Sequence, residues 1–162
     1  LAAFVIEARA ESLTQMPLLA AFLPVVLGMG GSAGNQSATV LIRGIATGRI
    51  HEGMFAKAFF REIGTSALLG LLYDTLIGLT SVGIAYYRGQ TATLEDFITG
   101  GVVGLALGGS MLLATAVGSL FPLLLEKVGI DPAVSTTPFV TTATDVLGSV
   151  IYLSLAFWLL PL

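Results

Sequence analysis

The chain has no cysteine, one histidine and one tryptophan, and only 10% of its 162 residues are charged. The missing thiols exclude disulfides and thiolate metal sites and leave the compartment open. His51 lies in a polar loop, and one imidazole does not make a metal site. A soluble domain carries about a quarter charged residues, so an ordinary water-facing surface is excluded. A formal net charge of −3 leaves no footprint for nucleic acid. There is no nucleotide-binding loop, so ATP hydrolysis is not expected of these residues; the chain as a whole reads as a non-enzyme.

What the chain does have is apolar length. The hydrophobic fraction is 55% and the mean hydropathy is +0.93, which reads as an all-α integral membrane protein. Twenty glycines lie mostly inside apolar segments. In water they weaken helices; in lipid, small residues let helices approach closely. They point to a tightly packed bundle.

Residues 1–6 are apolar but too short to span, since a crossing helix needs about 20 residues. They read as the end of a first helix, with no basic region of a signal peptide. A polar turn follows at 7–15. The second span covers 16–47, with Pro17 in its first turn and Pro24 inside, where a kink is expected. Its middle, GMGGSAGNQSAT, fits either an unwound break or a close-packed helix. Residues 48–62 are charged and amphipathic, with Ile50, Met54, Phe55, Ala58 and Phe59 on one side, and read as a short helix lying on the membrane surface. The third span covers 63–86, the fourth 97–125 with a Gly100, Gly104, Gly108 ladder, and the fifth 138–160. Arg43, Arg49, Lys57, Arg61 and Lys127 fall on one side of this topology, against Arg9 and Arg88 on the other. The basic side is expected in the cytoplasm of a plasma (inner) membrane and the C-terminus outside.

Asp145 sits in the middle of the fifth span. A carboxylate there costs about 2.5–3.5 kcal/mol on insertion scales, so intramembrane acids mark functional sites. At about 100° per residue, Thr137, Thr141, Thr144, Asp145, Gly148 and Tyr152 share one stripe on a rod otherwise made of Val, Ile, Leu, Phe and Trp. Such a stripe faces protein or water, and its charge suggests a cation path. In the second span, Gly28, Gly31, Asn35 and Thr39 form a stripe beside the Gly30, Gly34, Ala38 ladder. The ladder is explained by helix packing alone, but the Asn35 and Gln36 amides need partners or a wet path.

Three motifs closely resemble the membrane domain of the MgtE family of magnesium channels and transporters: GMGGSAGNQSATVLIRG at Gly28–Gly44, GIDPAV at Gly129–Val134 and TTATDVLGSVIYL at Thr141–Leu153. The likeness covers nearly the whole chain. It implies a homodimer of five-helix subunits, the first helix truncated here, with a pore at the dimer interface lined by the second and fifth helices. It further implies that Asp145 binds a hydrated magnesium ion in transit and that Asn35 helps line the pore, with Gly31, Thr39, Thr137, Thr141, Thr144 and Gly148 along the same wall. Typical members add cytosolic domains, including a CBS pair that senses magnesium, and these 162 residues contain neither. Bacterial members often have asparagine where this chain has Thr137, so the polar mouth differs.

Physics agrees with magnesium, which gives up its waters reluctantly. Two Asp145 carboxylates across a two-fold axis supply −2 for a divalent ion. The alternative for Asp145 is a structural carboxylate bonded to Ser or Thr on a neighbouring helix. Asp74, the second intramembrane acid, is expected to bond a buried Thr, Ser or amide; its other reading is an accessory sodium or proton site in a magnesium exchanger. Glu62 can attract cations at the cytoplasmic mouth, or simply be solvated. Arg43 and Arg61 read as interfacial anchors. A non-conducting scaffold built on glycine ladders is the remaining reading.

Overall fold

The computed structural model describes residues 2–7, 17–87, 89 and 94–159, which form helices and short turns with no strand among them. The helices are α1 (Ala2–Glu7), α2 (Pro17–Ala46), α3 (Phe55–Tyr87), α4 (Leu94–Lys127) and α5 (Pro132–Leu159), with a 3-10 turn at Glu52–Met54 before α3. Among the described residues, three helical stretches are long and apolar enough to cross a membrane: Glu52–Tyr87, Phe97–Lys127 and Thr136–Leu159. The 30 residues of α2 rise about 45 Å. Residues 8–15, Met16, Arg9, Arg88 and Leu160 lie outside the described residues.

The run from Gly28 to Thr39 is unbroken helix, not an unwound break, and α2 also continues through Pro24. Residues 48–62 do not stand as a separate surface helix. After the 3-10 turn the backbone runs from Phe55 through Glu62 to Tyr87 in one helix. The shift in composition near Ile63 marks a change of surroundings rather than a helix end. The apolar side expected to face lipid faces protein instead: Ile50 and Ala58 are buried with Leu41 and Leu123, flanked by Ile45, Phe55 and Phe59.

Helix ends follow from local chemistry. Gly48, at φ +68°, ends α2 in a Schellman motif: its N–H donates to the Ile45 carbonyl at 2.9 Å and the Arg49 N–H to Gly44 at 2.9 Å. Gly129, at φ +77°, does the same for α4, with Gly129 donating to Glu126 at 3.0 Å and Ile130 to Leu125 at 2.9 Å. Glycine takes this left-handed backbone without a Cβ penalty. Asp131 then caps α5, its Oδ1 accepting from the Ala133 N–H at 2.9 Å, and Pro132 opens that helix. The GIDPAV motif is thus a stop and a start in consecutive residues.

α4 is the central helix, packed against α3 on one side and against α2 and α5 on the other. Its glycine ladder faces α3. Gly108 meets Gly70 backbone to backbone, Gly104 lies against Asp74, and Gly100 against Ser81 and Gly78. A second row of small residues, Ser110, Ala114 and Gly118, faces α2 and α5. α3 shows the reversed amphipathicity that lipid demands. Its buried residues are Ala58, Ser66, Gly70, Ile77, Ser81 and Ala85, while Leu68 and Leu71 are 71% and 64% exposed. Small residues make the protein contact and large ones are left for acyl chains. A more conventional apolar cluster, including Leu19, Val26, Val103, Leu107 and Tyr152, fills the other end of the bundle.

α2 and α4 touch backbone to backbone, where a Cβ added to Gly118 overlaps the Gly34 carbonyl and lies within 2.9 Å of its Cα. Gly118→Ala is therefore expected to destabilise the protein by about 1–3 kcal/mol. Gly101→Ala on the same helix meets nothing within 4 Å and is expected to be neutral or slightly stabilising. Thermal unfolding of the purified protein in detergent compares them, and equal midpoints would refute the backbone contact.

Candidate functional site

The two polar stripes meet because α2 can lie flat against α5. Gly34 carries no side chain where Thr144 Cγ2 and the Ala114 carbonyl would each sit 2.9 Å from a Cβ. Gly31, one turn earlier, lies against Asp145 and Thr144: a Cβ there would be 3.7 Å from Asp145 Oδ1 and 3.9 Å from Thr144 Oγ1. Larger residues at either position would hold the helices apart.

Across this seam the Asn35 Nδ2 donates to Thr141 Oγ1 at 2.9 Å. Thr141 Oγ1 in turn donates to the Thr137 carbonyl at 3.0 Å, and Thr39 Oγ1 donates to the Asn35 carbonyl at 2.8 Å. These hydroxyl protons are consumed within each helix. The Thr39 oxygen therefore keeps lone pairs for a donor from outside, whereas Thr141 already accepts from Asn35. The Asn35 Oδ1 is buried and has no partner. Asp145 is half-buried and has no hydrogen bond or ion pair among the described residues. The structural alternative for Asp145, a bond to Ser or Thr on a neighbour, is thus not formed there. What results is a small set of acceptors, Asp145 and Asn35 Oδ1 with Thr39, beside a shallow groove lined by Ser32, Asn35, Gln36, Thr39 and Val40. Thr137 is exposed one turn beyond Thr141 on the same stripe.

Other residues of the stripe turn inward. Thr144 is 1% exposed and donates to the Thr141 carbonyl at 3.0 Å. Gly148 is buried against Ser110. Tyr152 is fully buried, its hydroxyl donating to the Leu19 carbonyl at 3.2 Å. In the single chain, then, Thr137, Thr141 and Asp145 are the open part of the stripe, while Thr144, Gly148 and Tyr152 secure α5 to α2 and α4.

The two other acids lie apart. Asp74 borders a cavity of about 370 Å³ between α3 and α4, walled by Gly70, Gly104 and Gly108. The bond expected for it is not formed among the described residues, and its Oδ1 is buried without a partner, because the helix facing it offers glycine backbone rather than hydroxyls. Glu62 meets Arg61 at 3.4 Å and borders a smaller cavity of about 160 Å³ lined also by Gln36, Ser37, Ser66 and Thr115. The inward Ser110 and Thr115 are not among the expected site residues. The signal for Ser110 was the row Ser110, Ala114, Gly118 at every fourth position.

No group of three or more His, Cys, Asp or Glu that could hold a metal occurs among the described residues. Among those residues, the seam between α2 and α5 holds a single carboxylate, that of Asp145.

A family model described as MgtE, divalent cation transporter, matches residues 23–155. The chain is 41% identical over 142 residues to the magnesium transporter MgtE of Thermus thermophilus, covering 88% of this chain and 29% of that protein. It is 32% identical to the magnesium transporter MgtE of Bacillus subtilis and 33% identical to that of Enterococcus faecalis, covering 90% of this chain and 30% of each relative. The chain thus spans less than a third of the length of these relatives.

The bond between Asn35 and Thr141 is testable on its own. A double-mutant cycle of Asn35→Ala and Thr141→Val, followed by unfolding in mixed micelles, is expected to give a coupling of about 0.6 kcal/mol and at most about 1.7. Additive effects would mean the two side chains do not bond.

Proposed function

This chain belongs to the MgtE family of divalent cation transporters, and from that premise we propose that it carries magnesium across the membrane through a pore at a homodimer interface, the hydrated ion resting at Asp145. The family is one of transporters, not enzymes. The observation that carries the reading is the acceptor character of the seam. A hydrated magnesium ion presents only O–H donors at its surface. Asp145 without a partner, the unpartnered Asn35 Oδ1 behind it and the outward lone pair of Thr39 are what such a shell requires.

The groove with Asn35, Gln36 and Thr39 is exposed on a chain that otherwise turns leucine outward. Its amide N–H₂ groups are paired within the chain, Asn35 to Thr141 and Gln36 to Ser32. Facing lipid, the Gln36 amide oxygen and the outward Thr39 oxygen find no donor; facing a second copy across an aqueous path, they find water. Two subunits bring two Asp145 carboxylates to that path, and −2 neutralises one divalent ion at the narrowest desolvation cost. Thr39, Thr137 and Thr141 line the wall; Gly31, Thr144 and Gly148 set the spacing behind it. An inside-negative potential favours entry by about 2.3 kcal/mol per charge per 100 mV, hence about 4.6 for a divalent ion, so no coupled reaction is needed. With the basic ends of α2 and α3 in the cytoplasm of a plasma membrane, the C-terminus faces out and Glu62 stands toward the inner mouth.

One observation favours a second reading. Asp74, buried without a partner beside its cavity, suits an accessory sodium or proton site in a magnesium exchanger. The scaffold reading leaves the unpartnered Asp145 without a role.

Magnesium uptake into liposomes containing the full-length protein separates these readings. Asp145→Ala is expected to reduce flux at least tenfold, a loss of about 1.4 kcal/mol or more, with Asp74→Asn and a sodium gradient without effect. Flux that needs sodium and Asp74 moves the assignment to the exchanger, and flux indifferent to Asp145 defeats the pore site.

A further inference from the structure

A basic cavity of about 540 Å³ lies where the end of α2, the turn after it and the first turns of α3 meet, its lining distinct from the seam groove except at Val40. Arg43, Arg49, Lys57 and Arg61 line it over an apolar floor that includes Val40 and Ile50. The backbone sets these cations in position. Arg43 stands in the last turn of α2, where its charge complements the helix dipole. The Schellman motif folds the chain back so that Ile50 seats on Gly44, and Arg49 is held between them. Lys57 and Arg61 are four residues apart on α3 and so share one face.

Four positive charges converging on one hollow repel one another unless something anionic lies between them. The chain supplies little. Among the described residues Arg43, Arg49 and Lys57 form no ion pair, and only Arg61 meets a carboxylate, Glu62 at 3.4 Å. Glu52 is exposed in the 3-10 turn and is not part of the lining. The height of the cavity narrows the choice of anion. It lies at the start of α3, whose continuation is apolar enough to cross a membrane, so it opens at headgroup level. Basic pockets between membrane helices at that level bind anionic headgroups. The apolar floor adds a second requirement. A soluble phosphate uses the cations alone, whereas a phospholipid also lays its glycerol and upper acyl chain along Val40 and Ile50.

We infer that this cavity binds the headgroup of an anionic phospholipid, its phosphodiester held by Arg43, Arg49 and Lys57. The inference does not depend on which ion the protein transports.

The test uses the full-length protein in vesicles of phosphatidylcholine and phosphatidylglycerol, with retained lipid counted by native mass spectrometry. Wild type is expected to retain phosphatidylglycerol in preference to phosphatidylcholine, and to keep it in excess inorganic phosphate. Neutralising three cations in R43Q/R49Q/K57Q is expected to weaken retention on the order of a hundredfold. Arg49→Gln alone, in an exposed turn where folding is not at stake, is expected to weaken it several-fold, and Lys127→Gln to leave it unchanged. Equal retention by wild type and Arg49→Gln would overturn the site. Displacement by inorganic phosphate would reassign it to a free anion, and cross-linking of Lys57 to an acidic segment of the protein itself would reassign it to a protein contact; either result defeats the lipid.

Discussion

The contact between Gly34 and Gly118 is the constraint on which the rest of the arrangement depends. There α2 and α4 touch through their backbones, with no room for even one methyl group. Because α2 sits this deep, its neighbouring residues on the α5 side reach across. Gly31 comes against Asp145, and the Asn35 amide reaches Thr141. The same approach occurs on the other face of α4, where Gly108 meets Gly70. In lipid there is no hydrophobic gain from hiding leucine, so association rests on dispersion and hydrogen bonding at short range. Both grow as the helices close.

The polar chemistry of the seam depends on protons being used up locally. A threonine hydroxyl that donates to a carbonyl four residues back loses its donor and keeps an acceptor outward, as at Thr39. Asn35 directs its N–H₂ to Thr141 and leaves its buried oxygen unpartnered. With Asp145 the groups left over all accept. The seam thus offers acceptors from side chains that are not themselves charged, beside the single carboxylate of Asp145.

Much of this was legible in the residues themselves. The apolar runs announce membrane helices, Asp145 stands out against its neighbours, and the stripe with Asn35 and Thr39 follows from helical spacing. The GIDPAV motif carries the resemblance in the sequence, but its stop at Gly129 and cap at Asp131 emerge only from the structure, which opens α5 at Pro132 rather than 138. Other features were hidden for physical reasons. On α4 small residues occupy two faces, so periodicity alone could not say that Gly104 meets Asp74 while Gly118 meets Gly34. The step in composition near Ile63 signals a change of medium, and α3 crosses it without a break. The amphipathic side of residues 48–62 carries the pattern of a membrane-surface helix, yet Leu41 and Leu123 cover it. The bond expected for Asp74 depended on what stood opposite, and what stands opposite is glycine.

The reversed pattern of α3 also inverts the usual map of mutational tolerance. In a water-soluble helix the bulky apolar positions are the ones that resist exchange. Here Leu68 and Leu71 point away from the protein, and Leu, Ile, Val or Phe serve there about equally well, because acyl chains conform to any of them. The discriminating positions are those with almost no side chain, such as Gly70, Ser66 and Ser81, where one added carbon changes how two helices fit. The identity of this fold is stored in its smallest residues, and a comparison that weighs positions by hydrophobic bulk looks at the part of the chain that says least about it.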